Sequence, residues 1–552
     1  MALTDTSGAR ASEPGFSELF LPKFVTVLRE GYGLKDLGAD AVAGLTVAIV
    51  ALPLSMAIAI GSGLTPDRGL YTSIVGGFLI SLIGGSRFQI GGPAGAFIGL
   101  IAVTVERHGY DGLVLATILA GLIMIAIGLL RLGTYIKYIP FPAIVGFTAG
   151  IAVIIAATQI KEFFGLTLAK EPAEFVPKLM ALWSVNATLN PATLGVALFS
   201  LAVIETVRRL RPTWPAFLIA VAAASLLNLG LHLDAATIGT RFGGIPSSLP
   251  APSLPLLSFE KISAVLPSAI AIALLGSIES LLSAVVADGM TGRRHRSNCE
   301  LLAQGIANIG SVLFGGMCVT GTVARTATNV RAGSRGPISG MFHSAYLLIF
   351  ILIAAPLVSY IPLASLAAVL LVVSWNMAEK ADFWALLRDS RGDAVVLLAT
   401  FGLTVFYDLT TAIAVGVILG SLLFLHRMAE AVEVEGGPHL VREDEADDTS
   451  HPYDAELVKS GKVMVYRING AFFFGATARV NAVLDRIGAY PKVLVLDFHD
   501  VPLIDASAVH SLKVFADKLV RAGTKLRFTG ARPSVRKSLT AAGLRDAEAD
   551  SR

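Results

Sequence analysis

Arg325 lies in the middle of "GGMCVTGTVARTATNVRAGSRGPISG" (Gly315 to Gly340), a stretch bounded by two long apolar runs. The stretch is too polar to span a bilayer alone and too poor in acids for an ordinary water-facing loop. A guanidinium at such a depth needs a polar cavity or a charge of opposite sign, because intramembrane charges are costly and turn inward to partners. A second candidate is Glu279, alone in the apolar run "AIALLGSIESLLSAVVAD", with Ser283 one helical turn further on. A carboxyl that can take up and release a proton inside an apolar span suits a proton carrier; the competing reading is a static pair with Arg325. Asp288 and Asp408 fall at the ends of predicted spans and read as interfacial.

The surroundings of these residues are membrane-like. The 552 residues are 54% hydrophobic and 15% charged, and mean hydropathy is +0.69. Ordinary globular chains carry about 25% charge. Two cysteines, Cys299 and Cys318, provide neither a disulfide framework nor a metal spacing. No histidine sits in a ligand pattern, so neither a metal nor any other cofactor is expected. A net charge of only +3 argues against a nucleic-acid partner. The first forty residues show no short apolar segment with a cleavage site, so no removed signal peptide is expected.

Apolar runs predict fourteen spans: 41–61, 69–84, 93–105, 112–130, 142–160, 190–206, 214–231, 264–287, 299–315, 321–331, 337–358, 362–378, 392–407 and 408–426. If the N-terminus is cytoplasmic, the inside loops include "RLGTYIK", "VRRLRP", "TGRRHR", "VRAGSRG" and "LLRDSR". Outside loops such as "GLTPDRG" and "FYDLT" carry less Lys and Arg, as the positive-inside rule requires. This predicts a multi-pass protein of the inner (plasma) membrane, surrounded by the lipid bilayer. Residues 1–40 form a cytoplasmic segment and 41–426 a transmembrane domain built of two halves, about 41–231 and 264–426. Residues 427–460 read as an acidic, solvated linker. The remainder, 461–545, alternates strands ("KVMVYRI", "KVLVLDF", "KLRFTG") with amphipathic helices, which predicts a small cytoplasmic α/β domain with a largely parallel sheet.

Two spans are broken at corresponding places. In "IGGPAGAFIGLIAVTV", Gly91, Gly92 and Pro93 forbid a regular helix. From Pro93 to Val105 the chain supplies only about 20 Å of helix, short of the ~30 Å hydrocarbon core. In the tenth span Gly315, Gly316 and Gly321 break the chain, and a polar helix is predicted from about Thr322 to Asn329. Spans three and ten are seven apart among fourteen. Interrupted segments at matching positions of two halves point to a transporter's substrate site. Seven spans per half invert the repeat, so the two half-helix N-termini face one another. Their unpaired amides and partial positive charge make a seat for an anion, to which Arg325 adds a full charge.

These residues resemble the sulfate permease family of anion transporters, which includes prestin and bacterial dicarboxylate and bicarbonate carriers. The matching pieces are "VALPLSMAIAIGSGLTPDRGLYTSIVGG", "GGPAGA" and "NCELLAQGIANIGSVLFGGMCVTGTVARTATNVRAGSRGPISG". The C-terminal "LVLDFHDVPLIDASAVHSL" is similar to a STAS domain, and the resemblance spans roughly 30 to 540. It implies a seven-plus-seven inverted repeat with a core domain moving against a gate domain, as a homodimer. It also implies an anion seat lined by main-chain amides near Ala94, Gly95 and Ala96 and near Val323, Ala324 and Arg325. Phe97 would flank the seat and Pro53 would close it. Leu54 and Ile58 depart from the family pattern, where many members have glutamine and tyrosine, and this weakens a sulfate assignment. Glu279 resembles the acidic position that binds the coupling cation in some relatives. In related stand-alone STAS domains a serine at the Ser507 position is phosphorylated; otherwise Ser507 would serve as the N-cap of a helix beginning near Ala508.

The sequence therefore predicts a secondary carrier of a small anion (dicarboxylate, sulfate or bicarbonate class), with Glu279 and Ser283 coupling its transport to protons. An uncoupled exchanger or channel-like anion pathway, and an anion sensor signalling through the STAS domain, are the alternatives. No Walker motif supports ATP-driven pumping, and no nucleophile–base constellation supports an enzyme.

Overall fold

Chains crossing hydrocarbon must satisfy their own backbone amides, which helices do locally, and helices occupy the apolar runs. The computed structural model describes residues 19–134, 139–168, 171–212, 214–254, 258–430, 433–436, 463–473, 491–521 and 523–544. It separates into two units, Met1–Val417 and Ile418–Arg552.

In chain order the first unit contains α1 (Lys23–Arg29), α2 (Leu34–Gly61), α3 (Pro66–Tyr71), a π turn (Thr72–Gly76) and α4 (Gly77–Ile83). The two-residue strand β1 (Gly91–Gly92) follows, then a 3-10 turn (Gly95–Phe97) and α5 (Ile98–Leu129). Next come α6 (Phe141–Phe164), α7 (Phe175–Ser184), α8 (Pro191–Leu210), α9 (Ala216–Gly230), α10 (Ile238–Phe242), α11 (Phe259–Thr291) and α12 (Ser297–Leu313). After β2 (Thr320–Gly321) the chain forms α13 (Val323–Arg331), α14 (Ile338–Val358), α15 (Leu363–Met377), α16 (Lys380–Asp389) and α17 (Arg391–Phe406). Helix α18 (Leu409–Glu430) runs from the first unit into the second.

Among the described residues, eight helices are long and apolar enough to cross a membrane. Several predicted spans fall on shorter or interrupted elements for local reasons. The run 69–84 is divided by the π turn, and β1 and β2 precede the helices of the two broken spans. Spans three and four lie in α5, which is broken at Gly109 (φ 70°, ψ −176°).

The helices pack in two groups. In one, α5 lies against α11 and α12, α2 against α14, and α11 against α13; in the other, α6 lies against α15 and α17, and α8 against α9 and α15. Helix α2 touches α9 and α15 and so joins the groups.

The second unit holds β3 (Glu433–Gly436), β4 (Val463–Asn469), β5 (Val493–Asp497), α19 (Ala506–Arg521), β6 (Lys525–Thr529) and α20 (Pro533–Ala541). The sheet order is β3-β4-β5-β6, with β4, β5 and β6 parallel and β3 antiparallel to β4. Strand β3 lies within the stretch read as linker: the segment "VEVEGG" alternates apolar and acidic residues with the period of a strand, a signal masked by its acidic surroundings. Leu494 and Leu496 of β5, with Phe472, Phe498, Leu512 and Phe528, form this unit's own apolar core. The segment "ATARVNAVLDRIG" (476–488), the first of the amphipathic helices read between the strands, lies outside the described residues.

Candidate functional site

The two broken spans meet. Strands β1 and β2 pair antiparallel, Gly91 with Gly321 and Gly92 with Thr320. The Thr322 amide donates to the Ile90 carbonyl (3.0 Å), and the Ile90 amide donates to Thr326 Oγ1 (3.1 Å). Asn329 Nδ2 donates to the Phe88 carbonyl (2.9 Å), so α13 is bound along its length to the chain that precedes β1. Glycine on both strands leaves room for the side chains crossing behind them. A Cβ on Gly92 would stand 1.7 Å from Arg325 Nη1, and one on Gly321 would stand 1.5 Å from Gln89 Nε2.

Just beyond the ladder each chain turns into a helix. The first helical bond on one side runs from the Phe97 amide to the Ala94 carbonyl (3.2 Å), and on the other from Thr326 to Thr322 (3.0 Å). The amides of Ala94, Gly95 and Ala96, and of Val323, Ala324 and Arg325, precede those bonds and lie outside both helical ladders. Gly95 and Val323 are half-buried and Ala324 is exposed, which leaves this end of the two helices accessible. Phe97 is fully buried against α11, near Gly276. Pro53 is buried inside α2, where its missing amide leaves the Ile49 carbonyl without its helical donor.

Arg325 is 1% exposed and points back from the helix start into the ladder. Nη1 donates to Ser73 Oγ (3.2 Å), and Nη2 donates to Ser55 Oγ (3.1 Å) and to the Pro93 carbonyl (3.3 Å). Ser55 and Ser73 are themselves 2.9 Å apart, and Ser73 belongs to the π turn. Such turns are frequent at functional sites. Among the described residues no carboxylate lies within ion-pairing distance of Arg325. Its charge is therefore oriented by neutral oxygens and left uncompensated beside the two helix starts.

Glu279 does not pair with Arg325. It stands on α11 in an apolar crevice with Ala143, Ile144, Phe147 and Thr148 of α6 and Ile413 and Val417 of α18. Among the described residues it has no ion-pair or hydrogen-bond partner, so the static-pair reading fails in this conformation. The crevice lies on the seam between the two helix groups. Ser283, one turn on, meets Thr326 Oγ1 at 2.9 Å, which connects α11 to the half-helix carrying Arg325.

Sequence reasoning missed the residues that hold the crossing in place. Glu300, Gln304 and Asn308 lie on one stripe of α12 and are all buried. Glu300 Oε2 accepts from the Gly85 and Ser86 amides (2.8 and 3.0 Å), and its Oε1 from Gln304 Nε2 (2.8 Å). Asn308 bonds both the carbonyl and the amide of Val319, next to β2 (2.8 and 3.0 Å). The signal was present as polar residues every four positions in an apolar helix. Ser55 and Ser73 gave no such signal.

In the second unit Ser507 is exposed in the first turn of α19. The helix begins at Ala506, and the Ala508 amide bonds Asp505 Oδ1 (2.8 Å). Asp505, not Ser507, therefore caps it, because the helix starts two residues before the predicted Ala508.

Comparison with known proteins places this architecture. Residues 37–400 match the sulfate permease family and residues 454–548 match the STAS domain, so the chain belongs to the sulfate permease family and is a membrane transporter rather than an enzyme. It is 38% identical over 517 residues (93% of this chain, 95% of the relative) to YvdB of Bacillus subtilis (strain 168), whose name assigns it provisionally to sulfate transport. It is 30% identical over 522 residues (92% and 90%) to the bicarbonate transporter BicA of Synechocystis sp. (strain ATCC 27184 / PCC 6803 / Kazusa). The solved transmembrane domain of a cyanobacterial BicA superposes with a TM-score of 0.63 at 32% identity, covering 69% of this chain and 98% of that one. The fold is similar to that of SLC26A9, with a TM-score of 0.82 at 18% identity over 95% of this chain and 89% of that one.

Proposed function

We propose that the chain is a secondary carrier of a small anion, of the sulfate, bicarbonate or dicarboxylate class. It holds the anion between the helix starts at Gly95 and Val323 and moves it by alternating access. The observation that carries this reading is a buried guanidinium with no carboxylate partner, beside two sets of unladdered amides. That arrangement favours an anion over a neutral or cationic substrate. Relatives named for sulfate and bicarbonate transport support the class. Leu54 and Ile58 are buried and apolar, so these two side chains give no hydrogen-bond selectivity, and the choice among oxyanions rests on charge, size and main-chain amides.

Glu279 is the coupling group in this reading. An acid without a partner, on the seam between two helix groups, changes surroundings when one group moves against the other, and so exchanges its proton on a different side in each state. The N-terminus and the STAS domain face the cytoplasm, and the protein works as a homodimer. Proteoliposomes with a panel of radiolabelled anions, with and without an inward proton gradient, test the proposal. At least one of the three classes should accumulate in response to the gradient, and Glu279→Gln should abolish that response while equilibrium substrate binding persists. Gradient-driven accumulation by Glu279→Gln equal to wild type would place coupling elsewhere, and failure to move any anion would overturn the carrier reading.

A further inference from the structure

One cavity lies away from the anion seat, beyond the opposite end of α13. It measures about 560 Å³ and is walled by α1, by the turn leading into α2, by the segment between α4 and β1, by the loop after α11, and by the end of α13 with the turn that follows it. That volume falls within the range of small-molecule sites. Three arginines, Arg87, Arg293 and Arg335, line it together with Tyr32, Phe88 and two acids, Glu30 and Asp36.

The charges do not cancel. Arg87 and Glu30 pair with each other at 2.6 Å. Asp36 is committed to the start of α2, accepting the Gly33 amide at 3.1 Å. Among the described residues, neither the Arg293 nor the Arg335 guanidinium has a side-chain partner. The field of Arg293 reaches the cavity: Glu30's carboxyl is held below its usual range by the Arg87 hydrogen bond first, then by the charges of Arg87 and Arg293.

Two features make this a formed site rather than loose surface arginines. Asp40 Oδ1 accepts the amides of Arg335 (2.6 Å) and Gly336 (3.1 Å), and its Oδ2 accepts from the Tyr32 hydroxyl (2.6 Å). The backbone that carries Arg335 and the ring that walls the cavity are thereby fixed to α2. The C-terminus of α13 would by itself repel an anion. Its last carbonyls are already occupied, however: Thr328, Asn329 and Val330 accept from Ala332, Ser334 and Gly333.

We propose that this cavity binds a phosphate-bearing ligand, with Arg293 and Arg335 forking onto the phosphate oxygens. Guanidinium groups match phosphate geometry bidentately, and the cavity has room for a larger group attached to the phosphate. Such a phosphate reaches the site either on a soluble nucleotide or as the headgroup of an anionic lipid, since both "TGRRHR" and "VRAGSRG" are expected on the cytoplasmic side.

The test uses the full chain in nanodiscs, as wild type, as the double variant Arg293→Ala/Arg335→Ala, and as Arg325→Ala. One arm titrates ATP in phosphatidylcholine discs; the other measures phosphatidylglycerol retained by protein extracted from mixed discs. In one of the two arms wild type should bind, the double variant should bind about tenfold or more weakly, and Arg325→Ala should match wild type. A response in the ATP arm assigns a soluble phosphate ligand, and one in the lipid arm a headgroup. If neither probe binds wild type, or the double variant binds both unchanged, the proposal fails. Loss in Arg325→Ala alone would assign the binding to the anion seat and likewise overturn it. Neither arginine contacts the anion seat described above, so this result is read separately from the transport assays.

Discussion

At the scale of residues, the guanidinium of Arg325 is held by hydroxyls, and this separates its charge from its fastening. If the charge is what the anion senses, Arg325→Ala should weaken equilibrium binding of the substrate about tenfold or more, one hydrogen bond to a charged group being worth roughly 1.5–3 kcal/mol. Arg325→Lys, which retains a point charge but cannot reach both serines as a planar fork, should fall between Ala and wild type. Ser73→Ala removes one fastening and should weaken binding by about three- to tenfold, without changing the order of preferred anions. The folded fraction should stay close to wild type in each variant. When Arg325 is removed, Ser55 still bonds the Ala51 carbonyl at 2.7 Å and Ser73 at 2.9 Å, so neither hydroxyl is orphaned. Unchanged binding in Arg325→Ala, measured on protein that elutes normally by size exclusion, would make the arginine a structural residue.

At the scale of elements, the site depends on two short strands whose glycines leave room for the side chains crossing behind them. Gly92→Ala would drive a methyl into Arg325 Nη1, and Gly321→Ala would drive one into Gln89. Each should cost about 1–3 kcal/mol by overpacking. Gly92→Ala should in addition weaken anion binding more than its stability loss accounts for, because it displaces the guanidinium itself. Thermal unfolding in detergent, set beside substrate titration of the same samples, separates the two effects. The contrast also marks how far the sequence was legible. Helices, breaks and the pairing of spans three and ten could be read from local apolar runs, Gly-Gly-Pro, and the equal spacing of the breaks. The Ser55–Ser73–Arg325 triad could not, because contacts between residues some 250 positions apart leave no periodic trace when the residues are serines. Glu300, Gln304 and Asn308 fell between these cases: their four-residue spacing was visible, but not what they would grip. Strand β3 was hidden for another reason, its alternation lying inside a run of acids that reads as solvated chain.

At the scale of the whole molecule, two units with separate cores imply separable roles. The second unit encloses its own buried cluster around Phe472, Leu494, Phe498 and Leu512, and the anion seat draws every contact described above from residues 49–329 of the first. A chain ending after Glu430 should therefore keep the rank order of transported anions. The cut is not free of consequence, since Leu425, Met428 and Ala429 of α18 pack against the second unit's core and would lose that cover. Newly bared apolar surface near the end of a helix favours aggregation and lowers yield. Rate per folded molecule, normalised to monodisperse protein in the liposomes, is thus the quantity to compare. The expected outcome is a reduced yield or rate with an unchanged preference among sulfate, bicarbonate and dicarboxylate. A truncated chain that transports these anions in a different order would mean that the STAS unit shapes the seat, although none of its described residues contributes to the seat's geometry.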